Sequence, residues 1–146
     1  MTNFTINLNS IVELTDEQFF QLCQKNKDLR FERNAKRDLI IMSPTGGETS
    51  KSNSEIIVNL GIWNRRTKSG IMFDSSGGFK LPNSANSSPD ASWIPIEKWH
   101  NLTPEQRTKY LPFCPDFLIE LMSPSDSLSD TREKIKEYQE NGIRLG

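Results

Sequence analysis

The segment FLIELM, residues 117–122, lies between Pro115 and Pro124 and holds one carboxylate, Glu120, among five apolar residues. The segment is too short for a helix, and its flanking prolines favour a central β-strand. A carboxylate buried without a partner costs several kcal/mol, so Glu120 should be ion-paired, protonated or bound to a metal. A salt bridge to a Lys or Arg side chain and a functional role both remain open for Glu120.

The segments around this strand alternate between helical and extended patterns. A capping box at Thr15 to Gln18 predicts the first helix, and Asn141-Gly142 ends the last. We predict helices over 15–26, 52–67 and 126–141 and an irregular helical insertion over 96–110. We also predict a hairpin of 29–32 with 38–42 and strands over 71–73, 78–81 and 89–94. This order predicts a mixed α/β fold, with one sheet flanked by helices in a single domain over residues 1–146.

Composition narrows the class of protein. The chain has 146 residues, 34% hydrophobic and 25% charged, and a formal net charge of -1. No apolar run is long enough to span a membrane, and no signal peptide is evident. Because Cys23 and Cys114 show no metal-binding or disulfide pattern, we expect a cytoplasmic protein. The net charge is not basic, so it does not indicate nucleic-acid binding. His100 is the only histidine, so a histidine-rich zinc centre is excluded.

Asp90, in the segment SPDASW at 88–93, is the second candidate carboxylate. By itself Asp90 is more typical of a turn than of a functional site. Together, Asp90 and Glu120 on adjacent strands could hold one hard cation through oxygen ligands, which favours Mg²⁺, with Mn²⁺ as an alternative. Lys134 lies at the edge of the apolar stripe of the last helix, where its ammonium could reach the carboxylates or simply extend to solvent.

A series of motifs resembles the Uma-two (Uma2) family of restriction-endonuclease-like proteins in the PD-(D/E)XK nuclease superfamily. The motifs are SPTGG at 43–47, FDSSGGFKLP at 73–82, SPDAS at 88–92, CPDFLIELMSPSD at 114–126, residues 134–138 and NGIRLG at 141–146. The resemblance implies a restriction-endonuclease-like core with metal ligands at the centre of a mixed sheet. It matches Asp90 and Glu120 to the metal-binding acids and Glu32 to an auxiliary acidic position that could equally be a charged strand end. Met122 stands where the superfamily lysine is usual, and the resemblance implies that Lys134 takes its place.

Two further expectations concern Asp116 and the edge of the sheet. Asp116 is a rival for the role of Asp90, but it would lie about 13 Å from Glu120 along one strand. The family usually continues beyond Arg-Leu-Gly with another strand, so we expect an open sheet edge that a homodimer could cover.

From these residues we expect Mg²⁺-dependent hydrolysis of DNA phosphodiester bonds. The backbone carbonyl of Leu121 is a further candidate ligand, and Lys134 would orient the attacking water. The cluster Arg65, Arg66 and Lys68 could contact phosphates or form a solvated surface. The alternatives are a phosphodiesterase for RNA or small nucleotides, and a non-catalytic DNA-binding or protein-interaction module that retains the nuclease fold.

Overall fold

The computed structural model describes residues 3–146, and its order of helices and strands follows the predicted order closely. The helices are α1 (Asp16–Lys25), α2 (Gly47–Thr67), α3 (Ile96–His100), α4 (Pro104–Arg107) and α5 (Leu128–Glu140). The strands are β1 (Phe4–Ile6), β2 (Arg30–Arg33), β3 (Leu39–Met42), β4 (Gly70–Phe73), β5 (Phe79–Lys80), β6 (Asn86–Ser87), β7 (Ala91–Pro95) and β8 (Phe117–Ile119). The mixed α/β class is therefore confirmed.

The strands form two sheets rather than the single central sheet that we predicted. The order is β1-β3-β2-β6-β5 in the first sheet and β4-β7-β8 in the second. All pairs of named strands are antiparallel, and within residues 3–146 parallel pairing occurs only at the isolated bridges Phe79–Leu111 and Phe117–Leu145. The chain changes sheet between β6 and β7, where Pro89 has no N–H to donate to a continuing ladder.

The first sheet packs against α1. Thr15 caps this helix, and its side chain and that of Gln18 form the predicted capping box. Phe19 of α1 is fully buried against Phe31 of β2 and Leu39 of β3, which form one of the two core clusters. Because side chains alternate along a strand, the other face of β2 is turned away from α1.

The second sheet lies between α2 and α5. On one face, Trp63 of α2 packs edge-on against Trp93 of β7, with ring centroids 5.5 Å apart. On the other face, Leu118 of β8 and Tyr138 of α5 are each 1% exposed and belong to the larger core. This arrangement fixes α5 across the strand that precedes Glu120.

Several boundaries differ from the predicted ones. Helix α2 begins at Gly47, five residues before the predicted start, because Gly46 adopts extended geometry as its N-cap and so begins the helix instead of breaking it. Strand β8 ends at Ile119, so Glu120 follows the strand instead of lying within it. The short strands β1 and β6 were not predicted. Within residues 3–146 no helix is long and apolar enough to cross a membrane.

Candidate metal centre and catalytic cleft

Asp90 and Glu120 face each other at one end of the β7–β8 pair. The register joins Ala91 to Ile119 and Ser92 to Leu118, so the next position of each chain is Asp90 opposite Glu120. Alternation along the strands turns both carboxylates to the face of Leu118, which is the face covered by α5.

A backbone contact ties the two segments together at this position. The N–H of Leu121 donates a hydrogen bond of 2.7 Å to Oδ2 of Asp90. This amide therefore positions Asp90 immediately beside Glu120, whereas the role of the Leu121 carbonyl as a ligand stays a prediction.

Helix α5 supplies two donors to Glu120. Nζ of Lys134 lies 3.3 Å from Oε1 of Glu120, and its side chain is 26% exposed. One turn later, the hydroxyl of Tyr138 donates to the same Oε1 at 3.1 Å. Residues four apart share one face of a helix, so a single face of α5 holds this carboxylate. The structure thus places Lys134 beside the two candidate carboxylates.

Glu32 brings the first sheet into the same site. It lies on β2, on the face opposite Phe31, and is only 5% exposed. Its Oε1 accepts from the backbone N–H of Ser88 at 2.9 Å, and its Oε2 is 3.2 Å from Nζ of Lys134. Lys134 therefore bridges Glu32 and Glu120, and both oxygens of Glu32 are engaged.

The burial of these charges shifts their titration. Burial raises the pKa of Glu120 from 4.5 to about 7; Lys134 opposes this rise, whereas Glu32 and Asp90 add to it. Burial lowers the pKa of Lys134, but Glu32 and Glu120 together outweigh burial and raise it well above its ordinary value. Lys134 is therefore an ammonium at neutral pH, suited to stabilising negative charge and unsuited to accepting a proton.

A cleft of about 610 Å³ opens over these residues. Its lining includes Asp90, Glu120 and Lys134, together with Thr49 near the beginning of α2. Its rim adds further acids from α5 and the loop before it, namely Asp126, Asp130 and Glu133. Acids outnumber the bases Arg30 and Lys134 in this lining, so a bound cation would favour the entry of an anionic substrate.

The donor set fits a small hard cation. No group of three or more His, Cys, Asp or Glu side chains in the described part of the chain is arranged as a metal cage. Mg²⁺ needs only one or two carboxylates, because it retains several waters. Asp90 uses Oδ2 and Glu120 uses Oε1 in the hydrogen bonds found among residues 3–146, which leaves one oxygen on each carboxylate. The residues present therefore fit Mg²⁺ or Mn²⁺.

The other candidate residues lie outside this cleft. Asp116 is 8% exposed, forms an ion pair of 2.7 Å with Lys98, and does not line the cleft, so it is not a rival of Asp90. The cluster Arg65, Arg66 and Lys68 lies at the far end of α2, about 24 Å along the helix from Thr49. His100 is exposed at the end of α3.

Two residues of the site were not identified from the sequence. Tyr138 was assigned only to the apolar stripe of α5, although its spacing of four from Lys134 was a usable signal. Arg30 lines the cleft from β2, and its spacing of two from Glu32 indicates that both side chains share one face.

Comparison with known proteins identifies the family and a similar fold. Residues 16–146 match the Uma2 family, whose description is "Putative restriction endonuclease". A crystal structure of a putative nuclease belonging to DUF820 from Anabaena variabilis ATCC 29413 has a similar fold, with a TM-score of 0.70 and 17% sequence identity. That match covers 91% of this chain and 73% of the other. No curated protein matches this sequence significantly. Since the family match extends over most of the sequence, the chain belongs to the Uma2 family.

Proposed function

We propose that this protein is a nuclease that uses Mg²⁺, or Mn²⁺ in its place, to hydrolyse phosphodiester bonds of DNA. One observation carries the proposal: Asp90 and Glu120 lie opposite each other in an open cleft, with the ammonium of Lys134 beside them. The description of the Uma2 family and the naming of the structurally similar protein as a putative nuclease both support a nuclease function.

The carboxylates of Asp90 and Glu120 would hold the cation, and Asp90 is kept in place by the amide of Leu121. The carbonyl of Leu121 is a further candidate ligand. When bound, Mg²⁺ supplies positive charge to the scissile phosphate and makes a nearby water more acidic. The charge balance favours such binding, since Glu32 and Glu120 share the single ammonium of Lys134 and Asp90 adds a third carboxylate near Glu120.

Lys134 and Glu32 contribute in a different way. The ammonium of Lys134 would donate to the attacking water or to a non-bridging phosphate oxygen as negative charge develops there. Glu32 holds Lys134 in this place through its ion pair. A role for Glu32 as an auxiliary ligand would require Lys134 to release one of its oxygens.

A nuclease assay tests the proposal. Supercoiled plasmid, linear duplex, single-stranded DNA and RNA are incubated with the protein in Mg²⁺, Mn²⁺ or EDTA. We expect cleavage of DNA with either metal, none in EDTA, and a loss of at least about a hundredfold in Asp90→Asn. Glu140→Gln changes an exposed acid on α5 and serves as the control. DNA binding without cleavage in any metal would support the non-catalytic module instead.

We also propose that a second copy of the chain covers the sheet edge beyond β8, where the backbone of Arg144 and Leu145 is hydrogen-bonded to Asp116 and Leu118. This strand is at the edge of its sheet, where Leu145 supplies the isolated bridge to Phe117. Leu145 is 64% exposed and Trp63, on the neighbouring α2, is 46% exposed. Light scattering of the purified protein should give the mass of a dimer, and Leu145→Asp should shift it to a monomer. A monomeric wild-type protein at all concentrations would contradict the homodimer.

A further inference from the structure

Arg30 is the second cation of the cleft, and the sequence of β2 puts it there. Phe31 and Arg33 face α1, where Phe31 packs in the core and Arg33 lies over the ring of Phe19 at 4.5 Å. Alternation therefore turns Arg30 and Glu32 to the opposite face. The structure agrees with this placement, because Arg30 lines the same cleft as Asp90, Glu120 and Lys134.

The two cations of the cleft differ in what they contact. Lys134 is engaged by the carboxylates of Glu32 and Glu120. Arg30 takes part in none of the ion pairs found among residues 3–146. Its Nη2 donates to backbone carbonyl oxygens only, at 3.1 Å to Ser75 and 3.5 Å to Ser88. The positive charge of Arg30 is thus held in the cleft by neutral groups.

These carbonyl contacts also orient the side chain. Ser75 belongs to the turn after β4, in which the N–H groups of Ser76 and Gly77 both donate to Asp74. Arg30 is half-buried and anchored by one nitrogen to this turn, so little side-chain freedom remains to be lost when an anion binds. An anchored guanidinium still presents other N–H groups, in a planar fork that matches two oxygens of a phosphate.

We propose that Arg30 is a substrate-binding residue that contacts a non-bridging oxygen of a phosphodiester in the cleft. The identity of the polymer as DNA rests on the proposed function, whereas the anion site at Arg30 does not depend on it. Among anions, a phosphodiester fits this acidic cleft best, because its second free oxygen can face the cation held by Asp90 and Glu120. The fork of Arg30 then orients the phosphate, while Lys134 remains beside the reacting atoms.

The anion site is tested first with inorganic phosphate and no metal, by isothermal titration calorimetry. Wild-type protein and Arg66→Gln should bind phosphate equally, since Arg66 is exposed on α2 and distant from the cleft. Arg30→Gln should weaken phosphate binding by about tenfold or more, the scale of one charged hydrogen bond. Equal binding by Arg30→Gln and wild type, or no binding by wild type, overturns the anion site.

The second measurement is the affinity for a fluorescent duplex oligonucleotide at several salt concentrations in EDTA. Arg30→Gln should bind about tenfold more weakly, with a salt slope lower by about one. Arg30→Lys keeps the charge without the fork, so it should keep the slope and lose part of the affinity. Unchanged affinity and slope in Arg30→Gln overturn the inference even if the enzyme cleaves DNA. Conversely, Arg30-dependent phosphate binding without cleavage in Mg²⁺ or Mn²⁺ leaves the inference standing while the proposed function fails.

Discussion

Replacement of Glu120 by Gln should stabilise the metal-free protein at alkaline pH, because it removes a charge from a buried, acidic site. The pKa of Glu120 is raised by burial from 4.5 to about 7, despite Lys134, with Glu32 and Asp90 adding to the rise. This shift corresponds to about 3 kcal/mol of unfolding free energy. The raised pKa of Glu120 contributes fully to the free energy of unfolding below about pH 4.5, where the acid is neutral in the folded and the unfolded state. This contribution is lost as pH rises through about 7.

Gln resembles the neutral acid, so the variant should lack this pH dependence. We expect wild type and Glu120→Gln to be about equally stable at pH 4, with the variant gaining about 1–3 kcal/mol at pH 8. Urea denaturation in EDTA at both pH values measures the difference, and the exposed Glu140→Gln should show none. The variant should also lose any stabilisation by Mg²⁺, because a neutral amide is a poor ligand for a hard dication.

A loss of stability in Glu120→Gln at pH 8 would contradict this prediction. Nζ of Lys134 and the hydroxyl of Tyr138 both contact Oε1 of Glu120. If these contacts dominated over burial, Glu120→Gln would lose about 3–5 kcal/mol at pH 8, as when a buried ion pair is broken. Glu120 would then be a structural ion-pair partner.

Three further changes test the surroundings of the site and the fold. Lys134→Met leaves the buried carboxylates of Glu32 and Glu120 without their cation. The free energy of unfolding should fall by about 3–5 kcal/mol at pH 8. It should fall by less at pH 5, because Glu120 is protonated there. A loss of the same size at both pH values would contradict this. Tyr138→Phe removes the hydroxyl that donates to Glu120 and should cost about 1 kcal/mol in urea denaturation and weaken Mg²⁺ binding in calorimetry. Unaltered Mg²⁺ affinity would show that the hydroxyl is merely structural. Gly70→Ala puts a methyl group against the backbone of β7 and should cost about 3 kcal/mol in thermal or urea unfolding, whereas Gly47→Ala meets open space and should cost nothing.

The sequence predicted most of the elements because their signals are local. The capping box at Thr15 and the apolar run around Glu120 each involve neighbouring residues, and each corresponds to an element of the structure. The division into two sheets was missed because it depends on which strands pair. Strands β5 and β6 have only two residues each, too few for a periodic pattern.

The candidate site was predictable in its residues but not in its contacts. Glu120 was conspicuous as a charge in an apolar segment, Asp90 and Lys134 were candidates from their own segments, and the family resemblance added Glu32. The sequence could not show that Lys134 bridges Glu32 and Glu120, because these residues are distant in the chain and meet only in the folded protein. The anchoring of Arg30 to the carbonyl of Ser75 is long-range in the same way.

Anomalous diffraction from crystals soaked in Mn²⁺ would test most directly whether Asp90 and Glu120 form a metal centre. We expect one strong peak in the cleft, with an oxygen of Asp90 and an oxygen of Glu120 each within about 2.5 Å of it. We expect the peak to disappear in Glu120→Gln crystals grown and soaked in the same way. A peak bound by other residues, or an empty cleft in which Lys134 still joins Glu32 to Glu120 at saturating Mn²⁺, would contradict the metal centre.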